Sequence, residues 1–539
     1  MLARCRSATL QGLDAHPVTV EVDLAPGLPG VQLVGLPDKA IQESRERVRS
    51  ALRNSGFRGP LVRVVVNLAP ADQRKEGPAF DLPIALALLA ASGQLDRPNL
   101  EGLWCAGELG LDGSLRPIRG TIAIAACAAA HNAVALVIPE GNALEAALIP
   151  ALDVRPAKDL SSLVQQLQKR RPWCPTTGSQ TPASPLATAA PAQPQPTDNP
   201  MPLQGQGARA LAIASAGAHH LLLVGPPGCG KTRLARQLAD LLPPMDDEEA
   251  LTVTRIRSVA GLIQGPSALQ RQRPFRAPHH SCSPAALLGG GLRPRPGELT
   301  LAHNGVLFLD ELAEFPRQLL DRLRQPLEDG VIRLRRSGGN SDYPCAITLV
   351  GATNPCPCGW LGDPEHDCRC SPSQRRRYWQ RLSGPLLDRL DLKLRLDRPS
   401  ITAMRHCLEP SPNPPQPDPW LNPAVIAAAR QRMQRRNPAQ CSNSSLEAKE
   451  LGEVGAIESG AMQLWEEVVR RRGLTTRSGL QLLRISRTIA DLHDQARVDE
   501  DAVAEACCFR CDDLLRDDHS AAGAGSAAGS AAGAVAPSR

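Results

Sequence analysis

The chain has 539 residues, with 61 Lys and Arg against 55 Asp and Glu, and a formal net charge of +6. This length exceeds what a single hydrophobic core supports, and the 42% hydrophobic and 22% charged fractions are ordinary for globular proteins, so we expect several soluble domains. The mild net charge excludes a polybasic coat for nucleic acid, and six Phe, six Trp and two Tyr are too few for a long base-stacking groove.

The N-terminus, MLARCRSATLQG, lacks the apolar stretch of a secretory signal peptide. No segment reaches the roughly 18 consecutive apolar residues of a membrane span. The 16 cysteines are mostly scattered singly, as small buried side chains are, and do not suggest a disulfide framework. We therefore expect a cytoplasmic protein without membrane contact.

Composition divides the chain into five segments. One Pro- and Ala-rich stretch is almost free of charge and predicts an extended linker, and the Ala/Gly/Ser-rich end predicts a disordered tail. Near the C-terminus, apolar residues at three- and four-residue spacing predict helices over Pro423–Arg436 and Gly460–Arg472. In chain order we predict an α/β domain (1–171), a flexible linker (172–200), an α/β core (201–400), an all-helical lid (401–516) and a disordered tail (517–539).

Two motifs characterise the N-terminal domain. Lys75–Asp81 reads KEGPAFD and Gly107–Ala126 reads GELGLDGSLRPIRGTIAIAA. They resemble the segments that carry the nucleophilic Ser and the catalytic Lys of Lon-type proteases, but Ala79 and Ile124 stand at those two positions. A methyl group cannot attack a carbonyl and an alkyl chain cannot accept its proton. The resemblance therefore implies a Lon-like α/β domain that serves assembly or DNA engagement and is not a peptidase.

The strongest local signal lies at the start of the core. The apolar run Leu221–Val224 leads into a Gly-rich loop, and an amphipathic helix follows, as a phosphate-binding loop requires. In such a loop, backbone N–H groups bind the phosphates, Lys231 reaches the β- and γ-phosphates, and Thr232 binds Mg²⁺. The predicted nucleotide-binding residues are Gly225, Pro226, Pro227, Gly228, Cys229, Gly230, Lys231 and Thr232.

Acidic and amide side chains follow two further apolar runs. Val306–Leu309 ends in Asp310 and Glu311, which suit Mg²⁺ binding and activation of water, respectively. A strand over Ala346–Ala352 precedes Asn354, a candidate for holding the attacking water. This order of motifs resembles the AAA+ ATPases, in which that Asn is the first sensor.

The same resemblance implies two catalytic arginines. Arg389, in GPLLDRLDL, lies where related motors have an arginine finger, and Arg477, in the lid, corresponds to the second sensor. For either residue alone, a surface salt bridge is the alternative. A finger that acts on a neighbour's nucleotide requires a closed ring, and the AAA+ resemblance implies six subunits.

The segment 273–370 carries longer motifs: RPFRAPHHSCSPAALLGGG, RPGELTLAHNGVLFLDELAEF, LRQPLEDG and NPCPCG. These resemble the magnesium-chelatase-like AAA+ ATPases, specifically the ComM/YifB branch, and the similarity extends to the N-terminal domain and lid. The resemblance implies a hexameric ATP-dependent DNA helicase that promotes branch migration during natural transformation, with single-stranded and branched DNA as partners. The alternative is a protein-remodelling motor of the metal-chelatase type without DNA activity.

The segment after Gly330 predicts a β-hairpin. Val331–Arg336 is followed by a Ser-Gly-Gly-Asn turn and by a strand that returns into the sensor strand. Such a hairpin, projecting into the pore of a ring, suits DNA pulling. Arg333, Arg335 and Arg336 supply charge for the DNA backbone, and a salt-bridged surface hairpin is the alternative.

Four cysteines cluster just after Asn354. Two C-x-C pairs, closed by a loop, can supply four thiolates to a structural Zn²⁺; His366 is a possible substitute ligand, and a disulfide is the alternative. A basic helix follows with Arg375, Arg376 and Arg377 as candidate DNA contacts. The predicted zinc ligands are Cys356, Cys358, Cys368 and Cys370.

The adjacent His279 and His280 lie in another insertion. Adjacent side chains point in different directions on most backbones, so we do not expect a shared metal. Structural and DNA-contacting roles both remain open for this pair.

Overall fold

The computed structural model describes residues 1–59, 61–150, 152–168, 205–263, 269–291, 295–336, 339–398 and 418–510. The predicted linker (172–200) and tail (517–539) lie outside these ranges and remain predictions. The described elements form an N-terminal α/β domain, a central parallel-sheet core and a helical C-terminal domain, which confirms the predicted multidomain α/β class.

The N-terminal domain is built on one mixed sheet. Its strands are β1 (Leu2–Gln11), β2 (Asp14–Ala25), β3 (Gly30–Val34), β4 (Arg63–Ala69), β5 (Leu103–Cys105), β6 (Glu108–Leu109), β7 (Leu115–Arg116), β8 (Ala135–Pro139) and β9 (Val154–Ala157). The sheet order is β3-β4-β2-β1-β5-β8-β9, and β6 and β7 form a separate small hairpin. Strand β1 is antiparallel to β2 along its whole length but pairs with β5 only at Arg6, opposite Trp104.

Helices cover both faces of this sheet: α1 (Lys39–Asn54), α2 (Asp81–Ala91), α3 (Thr121–Ala130), α4 (Ala143–Ala146) and α5 (Leu160–Leu167). Helix α2 is apolar on all sides, and accordingly every one of its residues is buried. Alternate residues of β8 pack into two separate clusters, Val137 with α2 and Leu136 with α3. Because successive strand residues face opposite sides, α2 and α3 cover opposite faces.

The core contains a fully parallel sheet and a separate hairpin. Its strands are β10 (Leu221–Val224), β11 (Phe275–Arg276), β12 (Val306–Leu309), β13 (Val331–Arg336), β14 (Gly339–Pro344), β15 (Thr348–Thr353) and β16 (Leu392–Arg395). The sheet order is β11-β12-β15-β10-β16 with parallel neighbours throughout, which places the strand of the phosphate-binding loop next to the predicted sensor strand. Strands β10, β12 and β15 are entirely buried, as expected for a parallel sheet covered on both faces.

The helices of the core surround this sheet. They are α6 (Gln206–Gly217), α7 (Lys231–Leu241), α8 (Asp247–Ala260), α9 (Pro284–Leu288), α10 (Glu298–Leu301), α11 (Arg317–Arg322), α12 (Arg324–Asp329), α13 (Pro372–Trp379) and α14 (Gly384–Leu387). Short 3₁₀ turns occur at Pro78–Phe80, Arg97–Leu100, Glu140–Asn142, Leu312–Glu314, Pro419–Leu421, Pro438–Gln440 and Asn443–Ser445.

The predicted hairpin is confirmed as β13 and β14, with two corrections. Arg336 pairs with Gly339 and Arg335 with Asn340, so Gly339 and Asn340 of the predicted turn belong to β14. Strand β14 also does not run into the sensor strand: it ends at Pro344, and β15 begins at Thr348 in another sheet.

The C-terminal domain is helical, as predicted. Its helices are α15 (Pro423–Arg436), α16 (Ala448–Val454), α17 (Ser459–Arg472), α18 (Thr476–Leu492) and α19 (Glu500–Cys508). Helix α18 is mostly buried and packs against α6, α15 and α19, which fixes the domain on the core. Among the described residues, no helix combines the length and apolar character needed to cross a membrane.

The N-terminal domain contacts the core through α3 and α8. The Gly120 N–H donates to the Ser258 carbonyl at 3.1 Å, and the Ser258 hydroxyl donates to the buried Glu145 carboxylate. Nearby, the Arg255 guanidinium bonds the Asp14 carboxylate at 2.6 Å. Burial raises the pKa of Glu145, although hydrogen bonds, that from Ser258 foremost, oppose this shift. These contacts hold β1 close to the hairpin of the core.

Candidate functional site

The predicted nucleotide site lies at the carboxyl ends of three neighbouring strands. Strands β10, β15 and β12 are parallel neighbours, with Val224 opposite Thr353 and Leu309 opposite Gly351. Ligands of open parallel sheets bind beyond the carboxyl ends of the strands. The phosphate-binding loop, the Asp310–Glu311 pair and Asn354 follow these three strands directly and meet at one edge of the sheet.

The glycines of the loop adopt conformations that other residues rarely adopt. Gly228 and Gly230 have φ values of +79° and +89°. A Cβ on Gly225 would lie 2.7 Å from the Cys229 Sγ and from the Leu396 carbonyl oxygen, so the backbone passes close to its neighbours there. The loop ends at the first residue of α7, and the N-terminus of a helix is suited to binding an anion.

The Lys231 ammonium joins the phosphate-binding loop to the sensor strand. Its Nζ donates to the carbonyls of Gly225 and Pro226 at 2.7 and 3.0 Å and to Asn354 Oδ1 at 3.1 Å. The three protons of the ammonium group suffice for these three oxygen acceptors, and the Cys229 Sγ lies further away, at 3.8 Å. Lys231 and Asn354, 123 residues apart, therefore belong to one site.

Two oxygen donors that suit Mg²⁺ lie side by side. The Thr232 hydroxyl donates to Asp310 Oδ2 at 3.1 Å, and the other carboxylate oxygen of Asp310 accepts the Glu311 N–H at 2.9 Å. Hydroxyl and carboxylate oxygens are hard ligands of the kind that Mg²⁺ takes in nucleotide sites. These residues therefore fit the predicted ion.

Glu311 is held by a histidine that the sequence did not assign to the site. Its Oε2 lies 3.1 Å from His280 Nδ1, and its backbone has a left-handed φ of +52°. The His279 and His280 rings are only 4.0 Å apart between centroids, so the expectation that they point in different directions is wrong. A turn begins at His280, and the alternation of extended strands does not apply within a turn.

The two candidate catalytic arginines share one carboxylate away from this edge. Arg389 bonds Glu328 at 2.5 Å and Arg477 bonds it at 2.7 Å. Burial opposes ionisation of Glu328, but the hydrogen bonds from both guanidinium groups outweigh it and lower its pKa. Within the described ranges, the hydrogen bonds of Arg389 and Arg477 do not include the phosphate-binding loop. Their catalytic roles remain predictions.

The four predicted cysteines form one cluster. The Sγ atoms of Cys356, Cys358, Cys368 and Cys370 all lie within 4.8 Å of one another. Three of the separations are 3.3, 3.6 and 3.7 Å, and a tetrahedral Zn–S₄ site with bonds of about 2.3 Å places its sulfurs about 3.8 Å apart. The thiols are free, not disulfide-bonded, so the geometry fits a metal.

Backbone donors in the cluster favour the thiolate form of Cys358. Desolvation opposes ionisation of Cys358, but N–H groups of Trp360 and Arg369 bond its sulfur, and the pKa of Cys358 is lowered to about 6. His366 is not part of the cluster. Its ring bonds Asp363 at 3.2 Å and stacks on Trp360 with centroids 4.5 Å apart. The substitute-ligand alternative for His366 is therefore not supported.

The basic helix α13 is joined to the end of the sensor strand. The Tyr378 hydroxyl lies 2.9 Å from the Thr353 hydroxyl, and the Trp379 indole N–H donates to the Pro355 carbonyl at 3.2 Å. These two contacts flank Asn354. In the same helix, Arg375 is half-buried and Arg376 and Arg377 are exposed.

The arginines of the hairpin are paired with acids. Arg333 bonds Asp329, and Arg335 bonds Asp342 at 2.9 Å, in exposed ion pairs. For these two side chains the structure matches the salt-bridged alternative, whereas the side chain of Arg336 lies outside the description. An exposed ion pair contributes about 0–1 kcal/mol to stability. These arginines could therefore exchange their carboxylate partners for DNA phosphates at little cost in free energy.

The two positions matched to the protease dyad lie in one cleft. Ala79 and Ile124 both border a cavity of about 1110 Å³ beside β1. They are 45 positions apart in the sequence, so their convergence agrees with the predicted register. The resemblance to a Lon-type domain nevertheless remains a prediction.

Comparison with known proteins identifies relatives of every described domain. The family profile "Magnesium chelatase, subunit ChlI" matches residues 201–404, "Subunit ChlI of Mg-chelatase" matches 20–142, and "Magnesium chelatase, subunit ChlI C-terminal" matches 423–510.

Full-length relatives agree with these profiles. The uncharacterized protein YifB of Salmonella typhimurium is 40% identical over 522 residues, which cover 95% of this chain and 98% of that protein. YifB of Escherichia coli is 40% identical over 94% of this chain and 96% of its own length. The competence protein ComM of Haemophilus influenzae is 40% identical over 94% of this chain and 97% of its own length. The chain therefore belongs to the magnesium-chelatase ChlI-like ATPase family, among the homologues of YifB and ComM.

Proposed function

We propose that this protein is a cytoplasmic ATP-dependent DNA helicase or translocase that works as a homo-hexamer and promotes branch migration of recombination intermediates during natural transformation. Membership of the family implies ATP hydrolysis. The name of the competence protein ComM supports the link to DNA uptake.

The observation that carries the proposal is the attachment of α13 to the sensor strand. Tyr378 and Trp379 bond residues on either side of Asn354, while Arg376 and Arg377 of the same helix face solvent. A change at Asn354 on hydrolysis therefore has a short mechanical path to a basic surface. Guanidinium groups grip phosphates without reading bases, as branch migration through any sequence requires.

The residues of the nucleotide site divide the chemistry between them. Lys231 leaves the Gly225 and Pro226 carbonyls to contact the phosphates, and Asn354 orients the attacking water. Glu311 accepts a proton from that water. Thr232 and Asp310 would hold Mg²⁺, which supplies positive charge to the phosphate oxygens when bound.

Assembly into a hexameric ring would explain the position of Arg389, the candidate arginine finger. Arg389 is bonded to Glu328 rather than to the phosphate-binding loop of its own chain. In the proposed hexamer, Arg389 exchanges this carboxylate for the γ-phosphate of a neighbouring subunit, and Arg477 supports the same interface. We also propose that the four cysteines hold a structural Zn²⁺, because four thiolates leave no position open for substrate.

The decisive experiment measures ATP hydrolysis with and without single-stranded and forked DNA, followed by strand displacement on a labelled fork and a four-way junction. We expect DNA to stimulate hydrolysis and hydrolysis to drive displacement. Lys231→Ala should abolish nucleotide binding and turnover, whereas Glu311→Gln should abolish turnover and retain bound ATP. If DNA neither stimulates hydrolysis nor is displaced, the helicase proposal fails. The protein-remodelling motor of the metal-chelatase type then becomes the better explanation.

A further inference from the structure

A large cleft of the N-terminal domain has no role in the proposed ATPase cycle. Its volume of about 1110 Å³ exceeds the range of about 300–1,000 Å³ that is typical of small-molecule pockets. The cleft is lined by the end of β1, by residues 72–74 and 76–79, and by Pro117–Arg119. Val259, Arg295 and Ser341 of the core also line it, so the cleft lies between the N-terminal domain and the core.

The cleft runs along the edge of a strand. Ala8, Thr9, Leu10, Gln11 and Gly12 border it consecutively. Because strand side chains alternate between faces, a cavity on one face would contact only every second residue. Consecutive contact places the cleft at the side of the backbone instead.

That side of β1 has no strand partner along the cleft. In the described part of the chain, β1 pairs with β5 only at Arg6, while its other side pairs with β2 as far as Gln11. In an antiparallel pair, alternate residues direct their N–H and C=O groups away from the partner. The end of β1 therefore offers main-chain donors and acceptors to an occupant of the cleft.

A buried hydroxyl on the same strand also lacks a partner. Thr9 borders the cleft, is 3% exposed, and its Oγ1 has no hydrogen-bond partner among the described residues. A buried polar group without a partner is unfavourable, so native proteins supply a partner in most cases. A polar group of an occupant beside Thr9 would supply the partner that this hydroxyl lacks.

The charges of the walls distinguish between classes of macromolecule. Asp72, Glu76 and Glu108 border the cleft together with three arginines. Three carboxylates repel a phosphate backbone, whereas balanced charges suit a polypeptide that carries both signs. The arginines are Arg74, Arg119 and Arg295.

We propose that this cleft binds an extended segment of a partner protein, which adds to the free edge of β1 as a further strand. Main-chain hydrogen bonds to residues 8–11 hold the segment, and the mixed charges of the walls select its side chains. At the position between Ala79 and Ile124, the bound segment would carry a small side chain. The site would bring a partner next to the hairpin of the motor, and it does not depend on the helicase proposal.

A display library of random dodecapeptides tests the proposal on the full-length protein. We expect enriched peptides to bind the wild type at least ten times more tightly than Ala79→Arg, which fills the cleft. Leu61→Arg is the matched control, because Leu61 is 85% exposed and lies outside the cleft, and it should bind as the wild type does. Bound peptide should also slow amide hydrogen exchange at residues 8–11.

Thr9→Val supplies a second test, whose result does not depend on whether Ala79→Arg folds correctly. Loss of the unpartnered hydroxyl should raise the thermal midpoint of the free protein and weaken peptide binding at the same time. Failure to enrich peptides on the wild type relative to Ala79→Arg overturns the proposal, as does equal affinity for both proteins. Single-stranded DNA binding that is lost in Ala79→Arg, without peptide binding, would make the cleft a nucleic-acid site instead.

Discussion

At the scale of single residues, the position of Glu311 depends on one side chain from another part of the core. His280 contacts its carboxylate at 3.1 Å, and the left-handed backbone of Glu311 directs it there. The contact engages one of the two carboxylate oxygens and fixes the direction of the group. We therefore predict that His280 restrains the proposed role of Glu311 as the general base.

We expect His280→Ala to raise ATP hydrolysis measured without DNA. Loss of an exposed ion-pair contact corresponds to at most about 1 kcal/mol, or about a five-fold change in rate. His279→Ala is the matched control, because His279 bonds Ser281 and not Glu311. A steady-state assay in which both variants hydrolyse ATP at the wild-type rate would refute the restraining role.

His303 makes the stability of the core depend on pH. Desolvation, assisted by the nearby Arg273, lowers its pKa from 6.5 to about 4, and its Nδ1 accepts the Ala346 N–H at 3.1 Å. The folded protein therefore favours neutral His303, whereas the unfolded chain binds the proton near its ordinary pKa. Its contribution to stability is complete above pH 6.5 and is lost as the pH falls towards 4.

The corresponding test compares the wild type with His303→Asn, whose side-chain oxygen can accept the Ala346 N–H without titrating. Between pH 7 and pH 5, His303 should account for about 2 kcal/mol of the wild-type loss in the free energy of unfolding. Urea unfolding at the two pH values measures this difference. Equal losses in both proteins would show that His303 does not carry the effect.

At the scale of elements, the cysteine loop packs directly on the phosphate-binding loop. A Cβ on Gly359 would lie 2.7 Å from Pro227 Cδ, and Gly359 has a φ of +84°. The same loop follows Asn354, which accepts a hydrogen bond from Lys231. The cysteine loop and the phosphate-binding loop therefore constrain each other.

Gly359→Ala should raise the KM for ATP several-fold, because the added methyl group displaces Pro227. Gly473→Ala is a matched control: its φ of +59° imposes similar backbone strain, but nothing lies within 4 Å of its Cβ position. Comparing the KM values of the two variants distinguishes the effect of contact with the phosphate-binding loop from the effect of backbone strain. An equal KM in both variants contradicts the packing argument.

The cysteine cluster itself predicts a metal content. We expect about one zinc ion per subunit in the wild type, since four thiolates at these separations form one tetrahedral site. Cys368→Ser combined with Cys370→Ser leaves two thiolates and should lose most of the zinc. Elemental analysis of the purified proteins is the measurement, and Cys508→Ser, at an exposed cysteine outside the cluster, is the control. Unchanged zinc in the double variant would exclude the site.

At the scale of the whole molecule, the separation of Arg389 from the nucleotide loop predicts shared active sites. Lys231→Ala and Arg389→Ala should each be inactive alone, but a mixed ring contains interfaces in which both intact residues meet. With random 1:1 mixing and head-to-tail contacts, about a quarter of the interfaces regain both residues. ATP hydrolysis by the mixture is the measurement, and a mixture as inactive as its components would show that Arg389 acts within its own subunit.

The sequence predicted the parts of the site that depend on local patterns. The run before Gly225, the Gly-Lys-Thr loop and the acidic pair after Leu309 are contiguous, and parallel strand order brings them together without further information. The helix Pro423–Arg436 was likewise predicted with its observed bounds, because its apolar spacing and its Pro at the first position are local signals.

Sequence alone therefore determined the family, the candidate phosphate-binding loop and the four clustered cysteines, since each depends on residue type at short spacing. Only the tertiary structure decided that His280 holds Glu311, that Arg389 and Arg477 share Glu328, and that the end of β1 opens onto a cleft. These features join residues from separate elements. Their geometry is set by how helices and strands pack, for which no spacing in the chain provides a signal.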